Sequence, residues 1–231
     1  MESQTATPTR LSTELLAWRP QRFGRGNARS VVDPLIEPAW VGLRTVVRVG
    51  YGSRPEILDE GGEPVEDLPE VADAIGEAAR ASTLILDGYL TGQATRPMEG
   101  LALESPEAPS AAEMTSQLFL GSAGQRRRKE LARAREATVG GPIAFVAVDL
   151  LLVDDEPIID VPLLERKRIL EGVLDETELV RRSVYVRPPI DSWLATWRSL
   201  GFGQLAYKAA NSRYHPGAPN PDWALAQIPR R

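Results

Sequence analysis

The strongest constraint on the fold of this chain is the apolar run Ile143–Val153, IAFVAVDLLLV. It is rich in β-branched and aliphatic residues and falls well short of the about 18 residues that a membrane span needs. It therefore reads as a buried strand, closed by a turn at Asp154-Asp155. A strand of this kind needs partners. Arg44–Tyr51 (RTVVRVGY) and Thr83–Leu86 supply them, the second ending in Asp87-Gly88. Between these two, Asp59–Glu63 (DEGGE) is a hairpin turn.

Helical periodicity fills the gaps. Leu68, Val71, Ala72, Ile75, Ala78 and Ala79 share one face of a helix over residues 66–80. Pro162–Leu174 is a second helix, with Leu163, Leu164, Ile169, Leu170 and Val173 apolar. Asp191–Leu200 is a third, with Asp191 as N-cap. Another runs from Gln125 to about Thr138, headed by Arg126, Arg127, Arg128 and Lys129, and follows a Pro- and Ala-rich excursion over Ala94–Ala112. Ser183–Arg187, Leu205–Ala209 and Trp223–Ile228 complete the strands. Strands and helices mix without a regular βαβ alternation. The expected class is α+β, with two packed antiparallel sheets, flanking helices and a cleft between the sheets. Residues 1–28 are an N-terminal segment, partly flexible, and 29–231 form the domain. Across that boundary Arg19, Arg22, Arg25 and Arg29 make a basic loop, either a solvated connector or a phosphate contact.

Charge and cysteine content narrow the function classes. The net charge is −5, and of the 27 basic residues only Lys129, Lys167 and Lys208 are lysines. Arginine forks suit phosphates and carboxylates, but an acidic total argues against indiscriminate nucleic-acid binding. With no cysteine there is no disulfide, thiolate zinc site or cysteine nucleophile. The N-terminus lacks a secretory h-region, and the expected compartment is the cytoplasm.

Against that background, Glu37-Pro38-Ala39-Trp40-Val41-Gly42-Leu43-Arg44 resembles motif I of the ATP-dependent DNA ligases, E-P-K-x-D-G-x-R. Leu86-Asp87-Gly88-Tyr89 resembles motif III (L-D-G-E), and Phe145–Leu151 resembles motif IIIa (F-x-x-F-D-L-L). Pro162–Arg168 matches P-L-x-E-R-R, and Gly203–Lys208 sits at motif IV (E-G-x-V-x-K). Ser212–Gly217 matches S-x-Y-x-P-G, and Trp223–Gln227 sits at motif V (W-x-K-x-K). Seven matches in order imply the DNA ligase/mRNA capping-type nucleotidyltransferase fold.

The same resemblance implies lost chemistry. Ala39 replaces the nucleophilic lysine and Val41 an aspartate. Tyr89 and Gly203 replace the metal-holding carboxylates, and Leu225 and Gln227 the phosphate-neutralising lysines. Glu37, Arg44, Phe145 and Lys208 remain as the nucleotide-binding set, with a buried ion pair as the competing role for Glu37 and Arg44. Lys129 and Lys167 are expected on solvated helix faces, Asp87 at a strand-end turn, and Tyr89 filling a lost metal site. Arg126–Lys129 is the candidate DNA patch, and the only histidine, His215, is a loop residue. The chain stops just after motif V, so no OB-fold domain is expected. The implied function is a degenerate, non-catalytic scaffold or regulatory subunit in DNA repair, with a protein partner, possible DNA contact, no metal and no cofactor. ATP and magnesium enter only under two alternatives: a ligase working through a partner's residues or a displaced lysine, and a non-covalent adenine-nucleotide sensor.

Overall fold

A computed structural model describes residues 12–52, 54–92 and 142–229. The candidate patch Arg126–Lys129, the excursion over 94–112 and the helix headed by Gln125 lie outside these residues.

The chain opens with a short helix, α1 (Thr13–Leu16), capped by the Ser12 hydroxyl, and the short strand β1 (Arg22–Phe23). Strands β2 (Pro34–Pro38), β3 (Leu43–Val49) and β4 (Glu56–Asp59) follow, then helix α2 (Pro69–Ala78) and strand β5 (Leu84–Thr91). After the central strand β6 (Ala144–Val153) come β7 (Glu156–Pro157), α3 (Leu163–Val173) and β8 (Val180–Arg182). Helix α4 (Asp191–Ser199), β9 (Gln204–Ala209), β10 (Pro219–Asn220) and β11 (Trp223–Gln227) complete the order.

The larger sheet runs β4-β3-β5-β6-β7, antiparallel throughout, with β8 added parallel to β6. The smaller sheet is β11-β9-β2, also antiparallel, and β1 pairs with β10 in a separate ribbon. Because side chains alternate across a strand, each sheet has two working faces. The outer face of the larger sheet carries Leu43, Val47, Leu86, Leu90 and Phe145 and is covered by the apolar side of α2 and by Leu170. Its inner face carries Val46, Ile85, Leu151 and Leu152, which pack on Leu35 and Trp223 of the smaller sheet. The far side of the smaller sheet packs Ile36 and Leu205 against Trp197 of α4. The expected two-sheet α+β architecture is thus present, and the site lies where the inner faces meet.

Several sequence expectations move. The strand expected to end at Asp87-Gly88 continues to Thr91, so Asp87 and Tyr89 sit mid-strand rather than in a turn. Gly88 is the one residue there that must lack a Cβ: an added carbon would stand 2.3 Å from Phe145 Cε2 and 2.5 Å from the Val146 carbonyl oxygen. The strand expected over 183–187 reduces to β8 upstream and a single bridge from Val186 to Ile36. Helix α4 is preceded by Ile190, not capped by Asp191. Pro162 directly precedes α3, as its fixed φ allows. From Ser12 onward the N-terminal segment packs on the domain, with Trp18 buried and Phe23 tilted against Trp223 at 5.7 Å.

Candidate nucleotide site between the two sheets

β2 and β9 place Glu37 and Lys208 on the same face of the smaller sheet, where Lys208 Nζ donates to Glu37 Oε2 at 3.0 Å. Lys167 reaches the same carboxylate from α3, its Nζ 2.8 Å from Oε1, close enough for an ion pair but not aligned as a hydrogen bond. The Ser183 hydroxyl also donates to Oε2 at 2.9 Å, and the Trp40 indole N–H donates to Ser183 Oγ. One carboxylate therefore serves two ammonium groups, and all three side chains are at most 2% exposed. Burial would raise the Glu37 pKa, but the pull of Lys167 and then Lys208 outweighs it and holds the group below its ordinary value. Lys208 is pushed down to about 8, first by burial, against the pull of Glu37 and with the repulsion of Lys167 and Arg44. Its ammonium also sits 4.4 Å over the Trp223 ring.

A second network lines the facing sheet. Arg44 donates from Nε to Asp87 Oδ1 at 2.6 Å and from Nη2 to Oδ2, a two-pronged pairing. Its Nη1 donates to the Tyr89 hydroxyl, and its guanidinium lies 4.6 Å from the Tyr89 ring centroid. The Tyr214 hydroxyl donates to Asp87 Oδ2 at 2.7 Å and accepts from the Gln21 backbone N–H at 2.8 Å. Burial lowers and Asp87 raises the Arg44 pKa, and Asp87 wins, so the guanidinium is held charged. Burial, then Asp87, lifts the Tyr214 phenol well above its ordinary range. Tyr214→Phe removes both contacts and is expected to cost about 1–2 kcal/mol, read from urea unfolding. A loss under about 0.5 kcal/mol would mean that Asp87 needs no third partner.

The sequence-derived residues therefore divide. Glu37 and Lys208 meet, while Arg44 joins Asp87 and Tyr89 instead of Glu37. Tyr89, expected as a space filler, is a hydrogen-bond acceptor for Arg44. Phe145 is fully buried on the outer face beneath Gly88, and its ring has no side free for a base. Lys167, expected on a solvated face, is buried. Val41 and Leu225 are 52% and 40% exposed. Gly203 and Gln227 are exposed, and a Cβ at Gly203 would meet nothing within 4 Å, so packing does not forbid a side chain there. Sequence reasoning missed Ser183 as a Glu37 partner, and it read Lys167 without the stripe Leu163, Arg166, Lys167, Leu170 that shares one helical face.

Comparison with known proteins agrees with this geometry. No family model matches the chain. In sequence it is 26% identical over 217 residues to a DNA ligase of Thermococcus onnurineus, a match covering 85% of this chain and 34% of the relative. The chain thus spans about a third of that relative's length. In structure it is similar to the ligase domain of LigD from M. tuberculosis, with a TM-score of 0.58 and 18% identity over 92% of this chain and 60% of that one. A mycobacterial DNA ligase D complexed with ATP and MES gives a TM-score of 0.58 at 17% identity, covering 90% of this chain and 59% of its own. The fold is a nucleotidyltransferase fold. More narrowly, it is that of the adenylation domain of ATP-dependent DNA ligases, and the sequence resemblance points the same way.

Proposed function

We propose that this chain is a non-catalytic, ligase-like adenylation domain that serves as a scaffold or regulatory subunit in DNA repair and works through a protein partner. The observation carrying the reading is that both oxygens of Glu37 are taken up by Lys167, Lys208 and Ser183, while a methyl group stands at Ala39. Forming an enzyme–AMP bond needs an amine poised on the α-phosphate, and Ala39 offers none. Holding a metal-bound triphosphate needs carboxylates and cations around it; Tyr89, Gly203, Leu225 and Gln227 supply neither. ATP with magnesium does not fit this donor set.

Incubating the full chain with α-labelled ATP and magnesium or manganese, followed by denaturing mass analysis, is expected to give no covalent AMP. Restoring the amine alone, Ala39→Lys, is expected to leave that result unchanged, because each missing charge is worth about two to three orders of magnitude in rate. An AMP adduct on Lys208, Lys167 or Lys129 of the unaltered chain would overturn the proposal. Saturable ATP binding without an adduct, weakened by Glu37→Ala, would replace the scaffold with a nucleotide sensor.

A further inference from the structure

The arginines of this chain are used very unevenly. Among the described residues, nearly every guanidinium has an acid or a carbonyl as partner, as in Arg44–Asp87, Arg166–Asp149 and Arg54–Asp73. The exceptions are Arg181, half-buried on β8, and three exposed residues, Arg22, Arg25 and Arg29, which fall within one short segment. Both described lysines are buried on Glu37, so they add nothing to the surface charge.

The segment is held in place by contacts that do not involve those charges. Phe23 packs on Trp223, and the Gly24 N–H donates to the Trp223 carbonyl oxygen at 2.9 Å. Gly24 lies so close to the β10–β11 turn that an added Cβ would stand 2.5 Å from the Asn220 carbonyl oxygen. The Asn27 side chain caps the turn Ala28–Ser30, whose Ala28 is buried and leaves Arg29 outward. Three unpaired cations contribute nothing to stability, yet the backbone that carries them is ordered. An anionic ligand that pairs with them has only their side chains left to fix.

The choice between ligands follows from what surrounds the three arginines. Val32, three residues beyond Arg29, is 79% exposed, more than any other large hydrophobic residue among those described. The nearby acids are Asp33, tied to Arg187, and Asp222, exposed in the turn under the segment. A long phosphate backbone would carry its charge past this patch onto a chain of net charge −5. A short acidic segment with an apolar residue would meet the arginines and Val32 and go no further.

We infer that Arg22, Arg25, Arg29 and Val32 form a docking surface for an acidic protein segment bearing an apolar anchor. The surface is separate from the Glu37 and Arg44 networks, and it supplies a partner chemistry for the scaffold reading without depending on the absence of catalysis.

The test is fluorescence anisotropy with the full chain and three labelled probes: an octaglutamate peptide, the same peptide with one central leucine, and duplex DNA of equal charge. The leucine-containing peptide is expected to bind best. The triple change Arg22→Gln, Arg25→Gln, Arg29→Gln is expected to weaken it by about tenfold or more, and Val32→Ser by about threefold. The thermal midpoint of the triple variant is expected to stay at the wild-type value, because none of the three guanidinium groups has a partner to lose. Equal peptide binding by variant and wild type, or no peptide binding at all, would overturn the inference. So would DNA binding through the three arginines with the peptides silent, which would make the surface a nucleic-acid site. None of these outcomes bears on AMP transfer, so this inference and the proposed function fail separately.

Discussion

Arg166→Met is expected to destabilise the chain by about 3–5 kcal/mol, seen as a lower urea midpoint at unchanged slope. Arg166 and Asp149 are both fully buried and joined by two parallel bonds of 2.8 Å. The guanidinium also donates to the carbonyl oxygens of Val161 and Ser212, so one side chain ties β6, α3 and the loop before β10 together. The register adds a second cost. Asp149 lies directly opposite Asp87 on the neighbouring strand, and like charges in that relation are unfavourable. Each aspartate is tolerated because it has its own arginine, Arg166 for one and Arg44 for the other. Removing Arg166 leaves Asp149, among the described residues, with only the Leu150 backbone N–H, fully buried and facing a second carboxylate. The double change Arg166→Met, Asp149→Leu is expected to recover most but not all of the loss, because the Val161 carbonyl oxygen loses its donor, while that of Ser212 keeps the Leu163 backbone N–H. A single variant within about 1 kcal/mol of wild type would show that water or a shifted side chain takes the arginine's place.

The same registers explain what could and could not be read in the sequence. The hairpin at Asp59–Glu63, the helix around Val71 and Ile75, and the strand ending near Val153 were legible, because their patterns repeat locally and their glycines or acids mark the ends. The seven ordered motifs were legible as a fold because spacing survives when side chains change. Asp87 and Tyr89 were misplaced because a polar residue beside glycine looks like a turn. The polar face of β5 makes sense only once Arg44 on β3 and Tyr214 far down the chain are seen opposite it. Lys167 failed for a related reason: a lysine among charges looks solvated, and nothing local announces a carboxylate from β2. Val184 and Val186 resemble a strand, yet among the described residues only Val186 finds a bridge partner. Local pattern gave the elements, and long-range charge pairing, which no window detects, decided the site.

Stability is expected to rise by about 2 kcal/mol between about pH 7.5 and about pH 9.5, and Lys208→Met is expected to abolish the rise. The origin is first the burial of Lys208 and then the excess of cations in the Glu37 cluster. Two ammonium groups share one carboxylate, and Lys208, buried with Arg44 and Lys167 acting against it, is the member held at about 8 instead of its ordinary value of 10.5. A lysine with a depressed folded pKa lowers stability while it is protonated in both states, a cost of ~3 kcal/mol fully present below about pH 8. Between about 8 and 10.5 the unfolded chain binds more protons than the folded one, so stability climbs with pH and levels off above the unfolded value. The window must close there, because the buried phenols of Tyr89 and Tyr214 have raised pKa values and act with the opposite sign once unfolded tyrosines begin to ionise, near pH 10. Lys208→Met leaves Glu37 paired with Lys167 at 2.8 Å, one charge against one, and removes the titrating member. Urea unfolding of both proteins at the two pH values separates the cases. A wild-type stability that stays flat or falls over this interval would mean that Lys208 keeps its proton and that the cluster is neutralised by something other than Glu37.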